Sequence, residues 1–164
     1  MAPLYHKIPP IYNVHSNILI LGTFPSVKSR EGKFFYNHPQ NRFWKVLAAI
    51  YECSTPTTIT EKKHFLLQNH IAVWDVIESC EIQGSSDSSI KNVIPNNLDI
   101  ILNAADIKEI YTNGQKAHKL YEAYCQPTTL RSAVSLPSTS PANAAFSLER
   151  LTHIWSSLIL QSSA

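Results

Sequence analysis

The sequence predicts an α/β fold, a three-layer αβα sandwich built on a four-stranded, mostly parallel sheet. Three observations lead there. Short runs of uninterrupted apolar residues recur along the chain, as strands buried on both faces require. Between them, apolar residues recur at i, i+3, i+4 and i+7, the spacing of one helix face. The 164 residues, 44% hydrophobic and 16% charged, suffice for one core and leave little room for a second. A single domain over residues 1–164 is therefore expected.

The first strand is Ile18-Leu19-Ile20-Leu21, ended by Gly22. A helix follows with Phe43, Val46, Leu47 and Ile50 on its apolar face, and another over 60–69 starts after Pro56 with Thr60 as its expected N-cap. The second strand runs from Ile71 to Ile77, and Leu98, Ile101, Leu102 and Ala105 mark the next helix. Ile107 to Thr112 forms a weaker third strand, followed by a helix carrying Ala117, Leu120, Tyr121 and Tyr124. Ser132 to Leu136 is the fourth strand, and Leu151, Ile154, Trp155 and Leu158 place the last helix.

Parallel sheets bind ligands beyond the carboxyl ends of their strands. Those ends are Gly22-Thr23-Phe24-Pro25-Ser26, Asp75, Asn113-Gly114 and Pro137-Ser138-Thr139-Ser140-Pro141, all rich in small or polar residues. Two connections, 23–40 and 78–94, far exceed the usual length of about 4–6 residues, which marks them as functional loops. The first contains the aromatic cluster Phe34-Phe35-Tyr36 and opens a basic patch: Lys28, Arg30, Lys33, Arg42 and Lys45 are five of the six cations in the first fifty residues, which carry a net charge of +5 against −3 for the remainder. Such a patch can meet phosphates although the whole chain stands at only +2.

Several classes are excluded. Gly22, Gly32, Gly84 and Gly114 are the only glycines, so neither G-x-G-x-x-G nor G-x-x-x-x-G-K-[ST] occurs, and the G-x-S-x-G elbow of hydrolases is missing too. Cys53, Cys80 and Cys125 lie far apart and are expected as reduced, buried thiols. The seven histidines show no metal-ligand spacing, so neither a metal nor another cofactor is expected. The first residues lack a signal-peptide pattern, and no apolar run approaches the roughly 20 residues of a membrane span. A cytoplasmic monomer without membrane contact is the expectation.

A basic loop with aromatics beside an α/β crevice suits a protein that grips a nucleic-acid backbone and holds one extruded base. One block is far more specific. Phe34-Phe35-Tyr36-Asn37-His38-Pro39-Gln40-Asn41-Arg42-Phe43-Trp44-Lys45-Val46-Leu47 resembles the corresponding loop and helix of mismatch-specific uracil-DNA glycosylases. Gly22 to Ser26 stands where their first active-site motif lies, and Leu136 to Asn143 where their last one lies. With Trp74-Asp75-Val76 on the second strand, the combination looks most like the DNA-deoxyinosine (hypoxanthine-DNA) glycosylase branch of the uracil-DNA glycosylase superfamily, over roughly residues 15 to 160.

Two departures matter. Phe24 stands where many relatives place an Asp or Asn that handles water, and Ser138 where many carry His or Asn. Phe has no polar atom and a neutral hydroxyl is a weak base. The resemblance therefore implies that Asn41, from the H-P-x-N-R-F-W block, is the catalytic group, although an Asn before a helix can equally be its cap. Phe24, Tyr36 and Asp75 are implied to meet the base, with core packing for Tyr36 and a solvated or capping acid for Asp75 as the alternatives. Ser26, Lys28, Arg30 and Lys33 are the expected contacts to DNA from the first loop. Gly114, Ser138, Thr139 and Ser140 are those from the later ones, Gly114 through its backbone N–H.

The implied reaction is monofunctional hydrolysis of the N-glycosidic bond of a deaminated base in DNA, in base excision repair. Hypoxanthine departs as a stabilised anion while positive charge builds on the sugar, so strong water activation is less necessary, and backbone N–H groups around Thr23 to Ser26 could stabilise the anion. Excision of uracil is the alternative within the same chemistry; a non-catalytic nucleic-acid-binding relative and a small-molecule binder are the alternatives outside it.

Overall fold

The computed structural model describes residues 2–163. Four parallel strands, β2 (Ile18–Gly22), β3 (Ile71–Asp75), β6 (Glu109–Asn113) and β7 (Val134–Leu136), form the central sheet in the order β3-β2-β6-β7. All five residues of β2 and of β3 are buried. Strands so enclosed need cover on both faces, which is why their sequences read as unbroken apolar runs. The cover comes from α2 (Phe43–Ile50) packed on α7 (Leu148–Ser163), α3 (Ile59–Gln68) against β3, and α5 (Gln115–Leu120) against β6 and β7. The sheet is thus wholly parallel, within the predicted αβα class.

Strand addition changes direction at β2: β3 lies on one side and β6 on the other. The crevice beyond the carboxyl ends of these strands is a topological switch point, where open parallel sheets bind ligands.

The structure corrects several expectations. The apolar run at Ile71 to Ile77 is two strands. Its chain leaves the sheet at Val76, whose N–H donates to the Gly22 carbonyl, and continues as β4 (Ile77–Glu81). There it pairs antiparallel with β1 (Leu4–Tyr5) and β5 (Lys91–Pro95) in a second, three-stranded sheet, so much of 78–94 is a hairpin. The loop 23–40 also holds a short helix, α1 (Val27–Gly32), because the Ser26 hydroxyl accepts from the Ser29 N–H. Helix α3 is capped by Thr58, not Thr60: the Thr58 hydroxyl takes the Glu61 N–H while the Glu61 carboxylate takes the Thr58 N–H. Cys53 is exposed, whereas Cys80 and Cys125 are buried; burial pushes the Cys125 thiol up to about 11, which leaves it protonated at neutral pH.

The helix predicted around Leu98 to Ala105 shrinks to α4 (Asp99–Leu102). Helix α5 passes through a π-helical turn at Tyr121–Cys125 into α6 (Gln126–Thr129). No helix among the described residues is long and apolar enough to cross a membrane.

Candidate active site

The parallel register sets Gly22 directly beside Asp75 at the ends of β2 and β3. A Cβ on Gly22 would stand 2.3 Å from Asp75 Oδ1 and 3.0 Å from the Tyr36 hydroxyl. The glycine is therefore what lets a carboxylate and a phenol approach the strand end. Both line one pocket with Thr23, Phe24, Asn41 and Ser138. Gly22→Ala is expected to displace Asp75 Oδ1, to cost about 1–3 kcal/mol through overpacking, and to abolish most activity; calorimetric melting and single-turnover assays check both.

Asp75 is only 4% exposed, and its two oxygens have different surroundings. Oδ2 accepts a 2.7 Å hydrogen bond from His6 Nε2, whose ring is likewise enclosed. Oδ1 is the oxygen next to Gly22. Asp75 is thus no solvated acid. The neighbouring Asn96 amide donates to the backbone carbonyls of Asp75 and Ile77, which holds the strand break.

Tyr36 has φ +50°, a backbone conformation rare for a bulky side chain and maintained only where surroundings demand it. Its ring stacks on Phe43, centroids 3.9 Å apart, and its carbonyl accepts from the Trp44 indole N–H at 3.2 Å. The hydroxyl is buried with no hydrogen-bond partner among the described residues. Burial, and then the charge of Asp75, pushes the phenol far above its ordinary range, so it remains a neutral O–H donor. Phe34 belongs instead to the core, and Phe35, equally buried, also lines the pocket.

The H-P-x-N-R-F-W block becomes legible residue by residue. His38 Nδ1 accepts the Gln40 N–H and the His38 carbonyl accepts the Asn41 N–H, closing a tight turn. Asn41 Oδ1 accepts from the Phe43 N–H at 2.9 Å and from the Thr139 hydroxyl at 2.9 Å. A backbone N–H can only donate, so the oxygen must face α2 and the amide's N–H donors are the groups left for a ligand. Capping and a role in the pocket, alternatives in the sequence, coexist in one side chain.

Arg42, counted in the basic patch, is a clamp. Its guanidinium donates to the carbonyls of Thr139, Ser140, Asn143 and Phe146, and its backbone N–H to Thr139 again. Trp155 of α7 holds the same loop from the far side, its indole N–H on the Pro137 carbonyl at 2.9 Å.

Several expected DNA contacts have other tasks. Thr139 is fully buried: its hydroxyl joins Asn41 to the Asn113 amide, and its N–H donates to Asn113 Oδ1. The Gly114 N–H donates to the Leu136 carbonyl, so it is not free for phosphate; at φ +99° the residue instead allows Ser138 to come close. The Ser26 hydroxyl caps α1. Arg30 donates to the Gly84 carbonyl and its guanidinium carbon lies 5.6 Å from the centre of the Phe24 ring. Lys28 and Lys33 are exposed, Lys28 at 3.7 Å from Glu31. Ser138 and Ser140 line the pocket, joined by the Ser140 N–H on Ser138 Oγ.

The sequence reading missed His6, the partner of the pocket residue Asp75, and Asp87, which lines the pocket itself. His6 lies 69 positions from Asp75, and nothing in its local sequence marks it. Asp87, at the tip of the β4–β5 hairpin, accepts from the Thr23 hydroxyl at 3.3 Å; loss of hydration at the pocket rim raises its carboxyl. Among the described residues, no cluster of His, Cys, Asp and Glu could hold a metal.

The chain is similar to known proteins over most of its length. The model of the Uracil DNA glycosylase superfamily matches residues 9–159. A hypoxanthine DNA glycosylase of Methanosarcina barkeri is 31% identical over 137 residues, 82% of this chain and 85% of its own. One from Methanosarcina acetivorans is 33% identical over 144 residues, 87% and 90% of the two chains. The solution structure of a Methanosarcina acetivorans protein described as a uracil DNA glycosylase superposes with a TM-score of 0.78 at 28% identity, covering 96% of this chain and 97% of that one.

Proposed function

Because this chain belongs to the uracil DNA glycosylase superfamily, we propose that it is a monofunctional DNA glycosylase of base excision repair that hydrolyses the N-glycosidic bond of hypoxanthine in DNA. The observation that carries the proposal is the Asn41 amide: its oxygen is committed to α2 and Thr139, so it offers N–H donors to the pocket. A donor suits a departing purine, whose acceptor atoms gain negative charge as the bond breaks, and the contact strengthens toward the transition state. Asn41 thus acts on the base more readily than as an acceptor for water.

Asp75 Oδ1 is assigned to the N1–H of hypoxanthine. That contact exists before and during bond cleavage, so it selects the base and does not accelerate its release. Phe24 and Tyr36 supply ring surface around the base, and Ser138 and Ser140 flank the pocket where the strand enters. None of the lining residues is a lysine, consistent with hydrolysis without a Schiff base. Release of free hypoxanthine should leave an abasic site that breaks only on alkali or heat. Action as a monomer in the cytoplasm is part of the proposal.

The deciding experiment offers the protein oligonucleotides with a single deoxyinosine, deoxyuridine, deoxyxanthosine or normal base. Release of hypoxanthine ahead of the others is expected. Uracil ahead of hypoxanthine moves the substrate assignment, because the N3–H of uracil can make the same contact to Asp75; no release of any base removes the enzyme reading.

With Arg30 and Arg42 turned inward, Lys28, Lys33 and Lys45 are the exposed cations between residues 28 and 45. Replacing Lys28 and Lys33 with Gln is expected to weaken binding to all duplexes alike and to reduce the salt slope by at most about 0.9 per lost phosphate contact. Titration at several salt concentrations checks it. Arg30→Gln should leave that slope almost intact.

A further inference from the structure

We infer that His6 is a positioning residue that determines base specificity: its Nε2–H fixes the Asp75 carboxylate as an acceptor-only group facing the base edge. The inference rests on the assignment of Asp75 to the base and adds the reason for its selectivity.

The argument begins with the tautomer. The Ile8 N–H points to His6 Nδ1 at 3.3 Å, and a backbone N–H can only donate. Nδ1 therefore carries the lone pair, which puts the proton of the neutral ring on Nε2, toward Asp75 Oδ2 at 2.7 Å. The ring is locked in place by aromatic neighbours: Phe24, Phe35 and Trp74 have centroids 6.0, 5.8 and 6.4 Å away. The His6 side chain is 1% exposed, so water does not compete for the bond.

A carboxylate held at Oδ2 has one oxygen left, and Oδ1 lies over Gly22 in the pocket. It accepts the N1–H of hypoxanthine. Adenine presents a lone pair at N1, and two acceptors facing each other without water repel. Removal of the His6 donor leaves a buried carboxyl free to rotate, so that Oδ1 is no longer held against the base edge. The discrimination against adenine then falls. Tyr36 and Asp87 also feel the charge of Asp75, after the larger effect of burial, while Oδ2 bonds to His6. His6 reaches this position because β1 pairs with β4, which follows β3 directly, and the His6 N–H donates to the Glu78 carbonyl.

The test uses duplexes with non-cleavable 2′-fluoroarabino analogues of deoxyinosine and deoxyadenosine, so that recognition is read apart from chemistry. The ratio of the two dissociation constants should fall by about tenfold or more in His6→Phe, the loss expected for one hydrogen bond to a charged group. His6→Gln, whose amide N–H reaches the place of Nε2, should restore most of it. A general packing defect moves both constants together and leaves the ratio alone. If the ring variant fails to fold, His6→Asn, with an amide too short to reach Asp75, gives the same comparison against His6→Gln.

A folded His6→Phe or His6→Asn variant with the parent ratio overturns the inference, as does a Gln variant no better than either. In the intact protein, long-range ¹H–¹⁵N spectra should show the Nε2–H tautomer at His6; the opposite tautomer also overturns it. Asp75→Asn separates the underlying assignment. If that variant keeps the parent ratio, Asp75 does not meet the base edge; if it loses the ratio while folded His6→Phe keeps it, only the role of His6 falls.

Discussion

Asn41→Ala is expected to lower single-turnover release of hypoxanthine by about 10²–10⁴-fold, the range for a positioned proton-transfer or hydrogen-bonding group. The variant also loses the acceptor for the Phe43 N–H and the Thr139 hydroxyl, so its stability should drop by about 1 kcal/mol, as for a lost helix cap. The two consequences can be separated. Asn41→Asp keeps an oxygen for both donors and removes the amide N–H groups. It should melt close to the parent protein yet release hypoxanthine almost as slowly as the alanine variant. Parent-like release by a folded Asn41→Asp protein would make Asn41 a cap and leave the departing base without its assigned donor.

The second large effect belongs to a residue outside the reacting groups. Arg42→Ala leaves the carbonyls of Thr139, Ser140, Asn143 and Phe146 without their shared charged donor. Bonds to a charged group contribute about 1.5–3 kcal/mol each when counted singly, and four on one guanidinium are not additive, so a loss of about 3 kcal/mol or more is expected. Denaturant unfolding measures it. Activity should fall as well, because the released loop carries Thr139, which fixes the Asn41 oxygen, and Ser138 and Ser140 at the pocket wall. Arg42→Lys reaches at most part of the carbonyl set with a point charge in place of a planar fork, so it should recover only part of the loss.

How much of this was legible beforehand follows from the range of each interaction. Strands β2 and β3 were readable because a strand enclosed on both faces favours apolar side chains along its length, a pattern visible in the four consecutive letters Ile18 to Leu21 and Ile71 to Trp74. Helix α2 was readable because its buried face repeats at helical spacing. The hairpin of β4 and β5 was hidden, since its strands are partly exposed and bulged and the Ser-rich tip between them reads as a loop. Thr58 and Thr60 are both capping residues near the same start; only the reciprocal bond with Glu61 separates them.

By itself the sequence determined the αβα class, the strand ends that form the pocket, and the block that contains Asn41, Arg42 and Phe43, all of which depend on residues close together in the chain. Tertiary structure decided what each polar group faces. Lysines, arginines and hydroxyls in a basic loop all look available to phosphate until the fold brings carbonyls to them, as it does for Arg30 and Arg42, or acceptors, as for Thr139. The pairing of His6 with Asp75 is the clearest case: 69 residues separate them, and only the alignment of β1 on β4, just past the end of β3, brings an imidazole N–H onto that carboxylate. Hydrogen bonds act over about 3 Å, so their partners are set by where distant segments meet and not by sequence spacing.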